Sequence, residues 1–469
     1  MAMATSVQES RREVLQILPT NLGSGVFGAR NGLPQIIFEI PRFPKVMNGK
    51  SLRINGTFQA FASTGVTPNN STTFFNNSPN QNDVFIDGRT AISSVVDVLS
   101  IQNLEGATYE TIKNYNRMCA SLQPLNESTG NYLNGGVDGL YGALGKEVSM
   151  AAKCDNKFEF SLPLLAGYLN QVIDLQLTKG CRIVINLSPD NFVMRNTKWR
   201  NPQSTGGTTL GGAYYELSNL SLSVTCEDPP APAKQAMIAN TRGSWDYDCY
   251  SSFYNVIQSS DHNAIININT GRTIATIMNL VPSKFLNNYN YNSQWTSQLL
   301  TEDAAGILKN RVVMTDLTFT KGGLRIPLDF ETDSRLAQTN GTSTSFKNFE
   351  ELNAIRNVWS LSNFTKSLAT ELSLPKSNAV ANGNALGQAK FSLQNGYSIN
   401  DEDRIQQYNL GVSYDQITYN GLDFRGTPLG IRIQSVAPSG TQLRPHSLFV
   451  FVKHKNTIVF ENGQVRVIQ

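Results

Sequence analysis

Apolar and polar residues alternate along much of this chain in short runs, and the runs end at glycine, proline and asparagine. Gln35 to Ile40 (Gln-Ile-Ile-Phe-Glu-Ile) is the first, closed by Pro41 and Pro44. Ser51 to Phe61 follows the turn Met47-Asn-Gly-Lys50, with Leu52, Ile54, Phe58 and Ala60 in phase. A period of two predicts strands with one face buried. The same reading predicts strands at Val95 to Gln102, Lys157 to Leu165, Val172 to Leu177, Cys181 to Leu187 and Tyr214 to Cys226. Helical spacing takes over at Thr108 to Leu122, where Tyr109, Ile112, Tyr115, Met118, Cys119 and Leu122 recur every three or four positions. That spacing predicts an amphipathic helix, N-capped by Thr108 and with Glu110 in its first turn.

The middle of the chain, Cys226 to Lys234, places three prolines in four residues, which predicts a hinge or spacer rather than a helix or a central strand. Beyond it the β pattern resumes at Trp245 to Val256, Ala264 to Leu280 with a turn at Asn269 to Arg272, Arg311 to Thr320 and Leu324 to Phe330. A second helix is predicted from Phe346 to Leu361, and strands return at Asn409 to Tyr414, Ile417 to Phe424 and Leu429 to Val436. The chain closes with Ser447 to Lys453, Thr457 to Phe460 and Gln464 to Ile468, the last two joined by Asn462-Gly463, a strong hairpin signal. Each half therefore runs through β, a strand followed by a helix, and β again. The first half holds about eight strands, the number of a jelly roll. The predicted fold is all-β: two tandem eight-stranded jelly-roll β-sandwiches with a few short helices in the connections. The boundaries are residues 1–32 as an N-terminal arm, 33–226 as the first jelly roll, 227–240 as a Pro-rich linker and 241–469 as the second.

Composition adds a functional constraint. Charged residues make up only 16% of the 469, against about 25% in an ordinary globular chain, and Asn, Ser, Thr, Gln and Gly fill the difference. A surface with so few charges has weak protection against association, which favours a protein covered in an assembly. The net charge is +3 with no long basic run, so binding to nucleic acid is not indicated. Cys119, Cys154, Cys181, Cys226 and Cys249 are scattered, odd in number and without a Cys-x-x-Cys pair, and are expected as reduced, mostly buried thiols. The polar first twelve residues hold no apolar signal core, and no run approaches the ~20 apolar residues of a membrane helix. Synthesis in a reducing, soluble compartment is expected.

Candidate chemistry is sparse. Gly23-Ser-Gly-Val-Phe-Gly28 has dinucleotide-fingerprint spacing but lacks the preceding strand, the following helix and the acidic residue that such a site requires, so a flexible arm is expected. Gly49-Lys50-Ser51 ends like a phosphate-binding loop, yet Pro44 stands where the first glycine belongs, and a turn is expected. His262, His446 and His454 show no metal-ligand spacing, and no Gly-x-Ser-x-Gly elbow occurs. Asp401-Glu-Asp403 behind Asn400 reads as a capped first helical turn. Tyr289, Tyr291 and Trp295 read as packing against a neighbouring subunit or loop. No catalytic, cofactor-binding or metal-binding residue is assigned, and no enzyme activity is expected.

Several passages carry a resemblance. Leu33-Pro-Gln-Ile-Ile-Phe-Glu-Ile-Pro with Lys50-Ser-Leu-Arg-Ile-Asn-Gly-Thr-Phe is similar to the opening of double jelly-roll major capsid proteins of double-stranded DNA viruses. Ser94 to Gly106 followed by Tyr109-Glu-Thr-Ile-Lys-Asn-Tyr-Asn-Arg looks like that family's strand, glycine turn and helix, with an "E.i.nYn" pattern at Glu110, Ile112, Asn114, Tyr115 and Asn116. Phe160-Ser-Leu-Pro-Leu-Leu-Ala-Gly-Tyr-Leu resembles its "f.lPL.sg.l" segment, and Phe451-Val-Lys-His-Lys to Asn462-Gly-Gln-Val-Arg-Val fits its close. The length is nearest to virophage and polinton-like members. The resemblance implies a homotrimer forming pseudo-hexameric capsomers of an icosahedral shell, located in the virion and made in the host cytoplasm. Its partners would be itself, neighbouring trimers, and penton and minor capsid or cement proteins. The arm would lie at the inner face, and the loops at 63–83 and 126–145 would form towers or trimer contacts. The alternative from composition and strands alone is a carbohydrate-binding or adhesive β-sandwich protein.

Overall fold

A computed structural model describes residues 10–61, 85–86, 91–126, 148–149, 157–195, 213–258, 260–283, 286, 301–303, 308–309, 313–326, 410–414, 421–436, 440–443, 445–461 and 463–469. The predicted helix at 346–361, the acidic run at 401–403, the aromatics at 289, 291 and 295, the polar loop at 63–83, residues 127–145 of the second loop and Cys154 lie outside these residues.

The first sandwich is built from β1 (Arg11–Ile17), β2 (Gln35–Ile40), β3 (Val46–Asn48), β4 (Arg53–Phe61), β5 (Val96–Gln102), β6 (Thr108–Lys113), helix α1 (Tyr115–Asn126), β7 (Lys157–Pro163), β8 (Val172–Asp174), β9 (Cys181–Leu187) and β10 (Tyr214–Asp228). One sheet runs β8-β3-β10-β4-β7 with β1 also paired to β10, and the facing sheet runs β2-β9-β5-β6. The alternation read from the sequence sets the faces. On β9, Cys181, Ile183, Ile185 and Leu187 are buried while Arg182, Val184 and Asn186 are half-buried, and on β4 Ile54, Phe58 and Ala60 point into the same core.

The second sandwich uses β11 (Arg242–Ile257), β12 (Asp261–Ile266), β13 (Thr273–Pro282), β14 (Val313–Lys321), β15 (Leu324–Arg325), β16 (Leu410–Ser413), β17 (Leu429–Val436), β18 (His446–Glu461) and β19 (Gln464–Ile468). Its sheets run β11-β18-β13-β16, with β19 on β18, and β12-β17-β14-β15. The ladders described are antiparallel, as in β18 and β19, where Glu461 opposes Gln464 across the expected two-residue turn. Gly463 takes φ +78 there, with no atom closer than 3.9 Å to the site of a Cβ. Gly463→Ala therefore meets only backbone strain and is expected to cost about 1–2 kcal/mol, read as a lowered urea midpoint with an unchanged slope.

Four expectations change. Thr108 to Leu122 is not one helix: Thr108–Lys113 is a strand paired with β5, Asn114 sits at φ 52, and the helix starts at Tyr115. Tyr109 and Ile112 fit the helical stripe, but the ladder offered by β5 captures the β-prone Thr-Tyr-Glu-Thr-Ile run. The proline stretch carries a helix, α2 (Ala231–Ala239), because Pro230 is its N-cap and Pro232 lies in its first turn, where the missing N–H has no intrahelical partner to lose.

The segment expected as a flexible arm pairs instead. Residues Arg11–Ile17 lie along Leu222 to Asp228, and Phe27 is fully buried and exchanges backbone bonds with Leu217. Gly23 (φ +49) and Gly25 (φ +78) turn the chain into that position. Finally, Ser447–Lys453 and Thr457–Phe460 are one 16-residue strand that pairs along its whole length with β11, because the polar residues between them find partners there.

The thiols behave as expected where described. Cys119, Cys181, Cys226 and Cys249 are free and buried. Burial pushes Cys119 and Cys181 up to about 12 and Cys226 to about 11, which leaves them protonated and inert.

Candidate functional site: the seam between the sandwiches

The second sandwich offers both faces of one sheet to other protein. Along β18, Leu448, Val450 and Val452 enter the core of their own sandwich. The intervening Phe449 and Phe451, with Ile458 and Phe460, join the core cluster of the first sandwich. All ten residues of β13 are buried in the same way. A sheet covered on both faces reads as a continuous apolar run, which is why Leu-Phe-Val-Phe-Val does not alternate. Each fully buried side chain of this size contributes roughly 1.5–3 kcal/mol, so the two sandwiches are fused by a common core.

At one side of this core, β6 and β11, each an end strand of its sheet, run close together, and side chains close their backbone groups. Glu110 Oε1 accepts from Tyr250 N at 2.7 Å and from Gly167 N at 3.2 Å, and Oε2 accepts from Tyr168 N at 2.9 Å. The Tyr247 hydroxyl donates to Tyr109 O at 2.5 Å, and Lys113 N donates to Ser252 Oγ at 3.0 Å. Unpaired strand edges invite pairing with other chains, and here Tyr109 O, Lys113 N and Tyr250 N on these edges are engaged within the molecule instead. Tyr168 stacks on Tyr109 at 4.5 Å and meets Tyr247 edge-on at 5.3 Å. Lys179 bonds both the Glu105 carboxylate and the Gly463 carbonyl, tying a first-sandwich turn to the last hairpin.

Gly167 is where the two backbones touch. A Cβ there would overlap the Asp248 carbonyl and lie 2.9 Å from Cys249 N. Helix α1 supplies the other crossing. Arg117, only 2% exposed, has its guanidinium carbon 5.5 Å from the Phe192 ring of the first sandwich and 5.5 Å from Phe449 of the second. Asp97 faces the same charge: burial raises its pKa and Arg117 opposes the rise. The Tyr115 hydroxyl accepts from Leu165 N at 2.7 Å, and Asn116 Nδ2 donates to Ser188 Oγ at 2.9 Å.

Deeper in the seam, Lys453 Nζ pairs with Asp248 at 2.8 Å, and burial holds the lysine below its ordinary range. Burial also depresses His454 to about 4, so its ring is neutral at ordinary pH. Ser251 Oγ, His454 Nε2 and Asn456 Oδ1 lie in hydrogen-bond order at 2.8 and 3.0 Å, the spacing of a nucleophile, base and orienting group. The ring is 1% exposed and sits within the β11–β18 ladder, where the three groups satisfy one another. The trio serves as the polar filling of a sheet.

The other sequence candidates do not converge. His262 lies on β12 and His446 at the start of β18, and no group of three metal-ligating side chains occurs among the described residues. Gly49–Ser51 is a single 3-10 turn whose Gly49 amide bonds Gln171 O. Glu110, Gly167 and Arg117 were legible only as parts of family-like patterns. The usable signal was Glu110 in phase with the buried Ile112, a charge at an inward strand position.

No protein-family model matches the chain, and no curated protein matches it. Solved structures do. The Faustovirus major capsid protein superposes with a TM-score of 0.54 at 10% identity over 98% of this chain and 93% of that one. The cryo-EM structure of the Sputnik virophage gives 0.53 at 11% identity, covering 97% and 88%. The mavirus major capsid protein gives 0.50 at 10% identity, covering 100% and 93%. The fold is thus the double jelly roll of these chains, spanning nearly all of both partners.

Proposed function

We propose that this chain is a structural major capsid protein whose homotrimer forms a pseudo-hexameric capsomer of an icosahedral virus shell. The observation that carries the reading is the fused pair of sandwiches, alike in architecture along its whole length to capsid chains. A fixed pair of similar lobes gives a threefold trimer a sixfold outline, so one closed oligomer can pack among six neighbours. A wobbling pair would not, and the common core and edge-to-edge seam supply the stiffness. The low charge content suits large interfaces of modest polarity. Neighbouring trimers, penton proteins and minor capsid or cement proteins are the partners, and the virion is the location.

The purified full chain is expected to have the mass of three copies and to show hexagonal outlines in negative stain. A two-lobed monomer that binds glycans on an array would overturn the capsid reading in favour of an adhesive sandwich protein.

A further inference from the structure

We propose that Glu110 is a proton-sensitive clasp between the two sandwiches, holding them most tightly when its carboxyl carries a proton and loosening when that carboxyl ionises inside the seam. The geometry supplies the clasp. One side chain on β6 collects three backbone N–H groups, two from the Gly167–Tyr168 turn of the first sandwich and one from Tyr250 on β11 of the second. No other carboxylate among the described residues holds backbone of both sandwiches at once. Among the described residues Oε1 takes two of the three bonds and Oε2 one, which makes Oε2 the oxygen with a lone pair left to carry a proton.

The surroundings decide the sign. From α1, Tyr115 faces the carboxyl; from the turn before β8, Tyr168; from β11, Tyr247, Asp248, Cys249 and Tyr250; and from β18, Lys453. Burial keeps the tyrosines and the thiol protonated. The lysine is engaged by Asp248 at 2.8 Å, and that aspartate itself repels a charge on Glu110. Full burial, only partly offset by the three amides, raises the Glu110 carboxyl from 4.5 to about 7. A seam in which β6 has parted from β11 ionises it near 4.5, whereas the closed seam resists until about 7. The closed state therefore binds more protons between these limits, and its advantage falls as pH rises through them and is constant above. His454, depressed from 6.5 to about 4, acts with the opposite sign in any opening that exposes it, but it lies within the β11–β18 ladder, which stays paired when β6 parts from β11, so its ring is neutral on both sides of this step.

Hydrogen exchange of the full chain, read by mass spectrometry and corrected for intrinsic rates, tests this. Peptides covering 164–171 and 245–253 are expected to show an opening constant that grows on the order of a hundredfold from about pH 5 to about pH 8. A peptide over Leu429–Val436, in the far sheet, is expected to show no step. Glu110→Gln should abolish the step in the seam peptides, and Asp248→Asn, which removes the repelling charge, should move it to lower pH. A native protein without the step overturns the proposal by itself, whether or not a variant folds. A step of the same size and midpoint in Glu110→Gln overturns it equally.

Discussion

Replacing Gly167 by valine is expected to destabilise the chain by about 3 kcal/mol or more, among the largest losses any single surface-independent change should produce. Gly167 has ordinary right-handed backbone angles, φ −65 and ψ −42, so glycine is not needed there for conformation. It is needed for space. An added Cβ lies 2.6 Å from the Asp248 carbonyl carbon, and neither backbone can yield, because Gly167 and Tyr168 are tied to Glu110 and β11 is laddered to β18 along its whole length. The sandwiches must separate or one ladder must break. Gly106→Ala is the matched control, since φ +92 imposes backbone strain but nothing lies within 4 Å. Denaturant melts of both variants check the claim. A Gly167→Val midpoint no lower than that of Gly106→Ala would mean the two backbones do not meet at this point.

Arg117→Ala is expected to cost about 3–5 kcal/mol, the usual penalty for removing one member of a buried charged cluster. The guanidinium fills the space between Phe192 and Phe449, so its loss opens a cavity across the seam, and Asp97 loses the cation that opposes its desolvation. Arg117→Met separates these two effects by keeping most of the volume. Without Arg117 the folded-state pKa of Asp97 rises further above its unfolded value. The resulting penalty is present at neutral pH and fades as pH falls toward the ordinary carboxylate range. Thermal melts of Arg117→Met at neutral and acid pH should therefore lie closer to the native protein at the acid end. Equal gaps at both pH values would show that packing alone sets the role of Arg117.

Both variants concern residues that no local pattern singles out. Gly167 sits in an apolar segment with nothing to mark it as a contact, and Arg117 looks like a solvated charge on a helix. Their significance comes from Asp248 and Phe449, respectively 81 and 332 positions away. Glu110 is the intermediate case. Its spacing makes it a first-turn acid of a helix, but pairing with β5 makes that stretch a strand and β11 closes over it. The same competition merged Ser447–Lys453 with Thr457–Phe460. Lys453, His454 and Asn456 look like a polar break until β11 supplies Asp248 and Ser251, with Asn456 Nδ2 also 3.5 Å from the Tyr247 hydroxyl.

The sequence by itself determined where the chain alternates and where it turns. Strands at Cys181–Leu187, Leu429–Val436 and Gln464–Ile468 occur with the bounds their patterns predict, and Asn462-Gly463 joins two strands in register. These features rest on local physics: a side-chain period of two and the positive φ that glycine tolerates. The two-sandwich plan follows from them, because enough half-buried strands on each side of the prolines must find a partner sheet. Tertiary structure alone decided which faces meet, that one sheet is buried on both sides, that the N-terminal segment pairs with Leu222 to Asp228, and that one carboxyl anchors both sandwiches. Those outcomes depend on contacts between residues tens to hundreds of positions apart, whose energies exceed local propensity and leave no periodic trace in the chain.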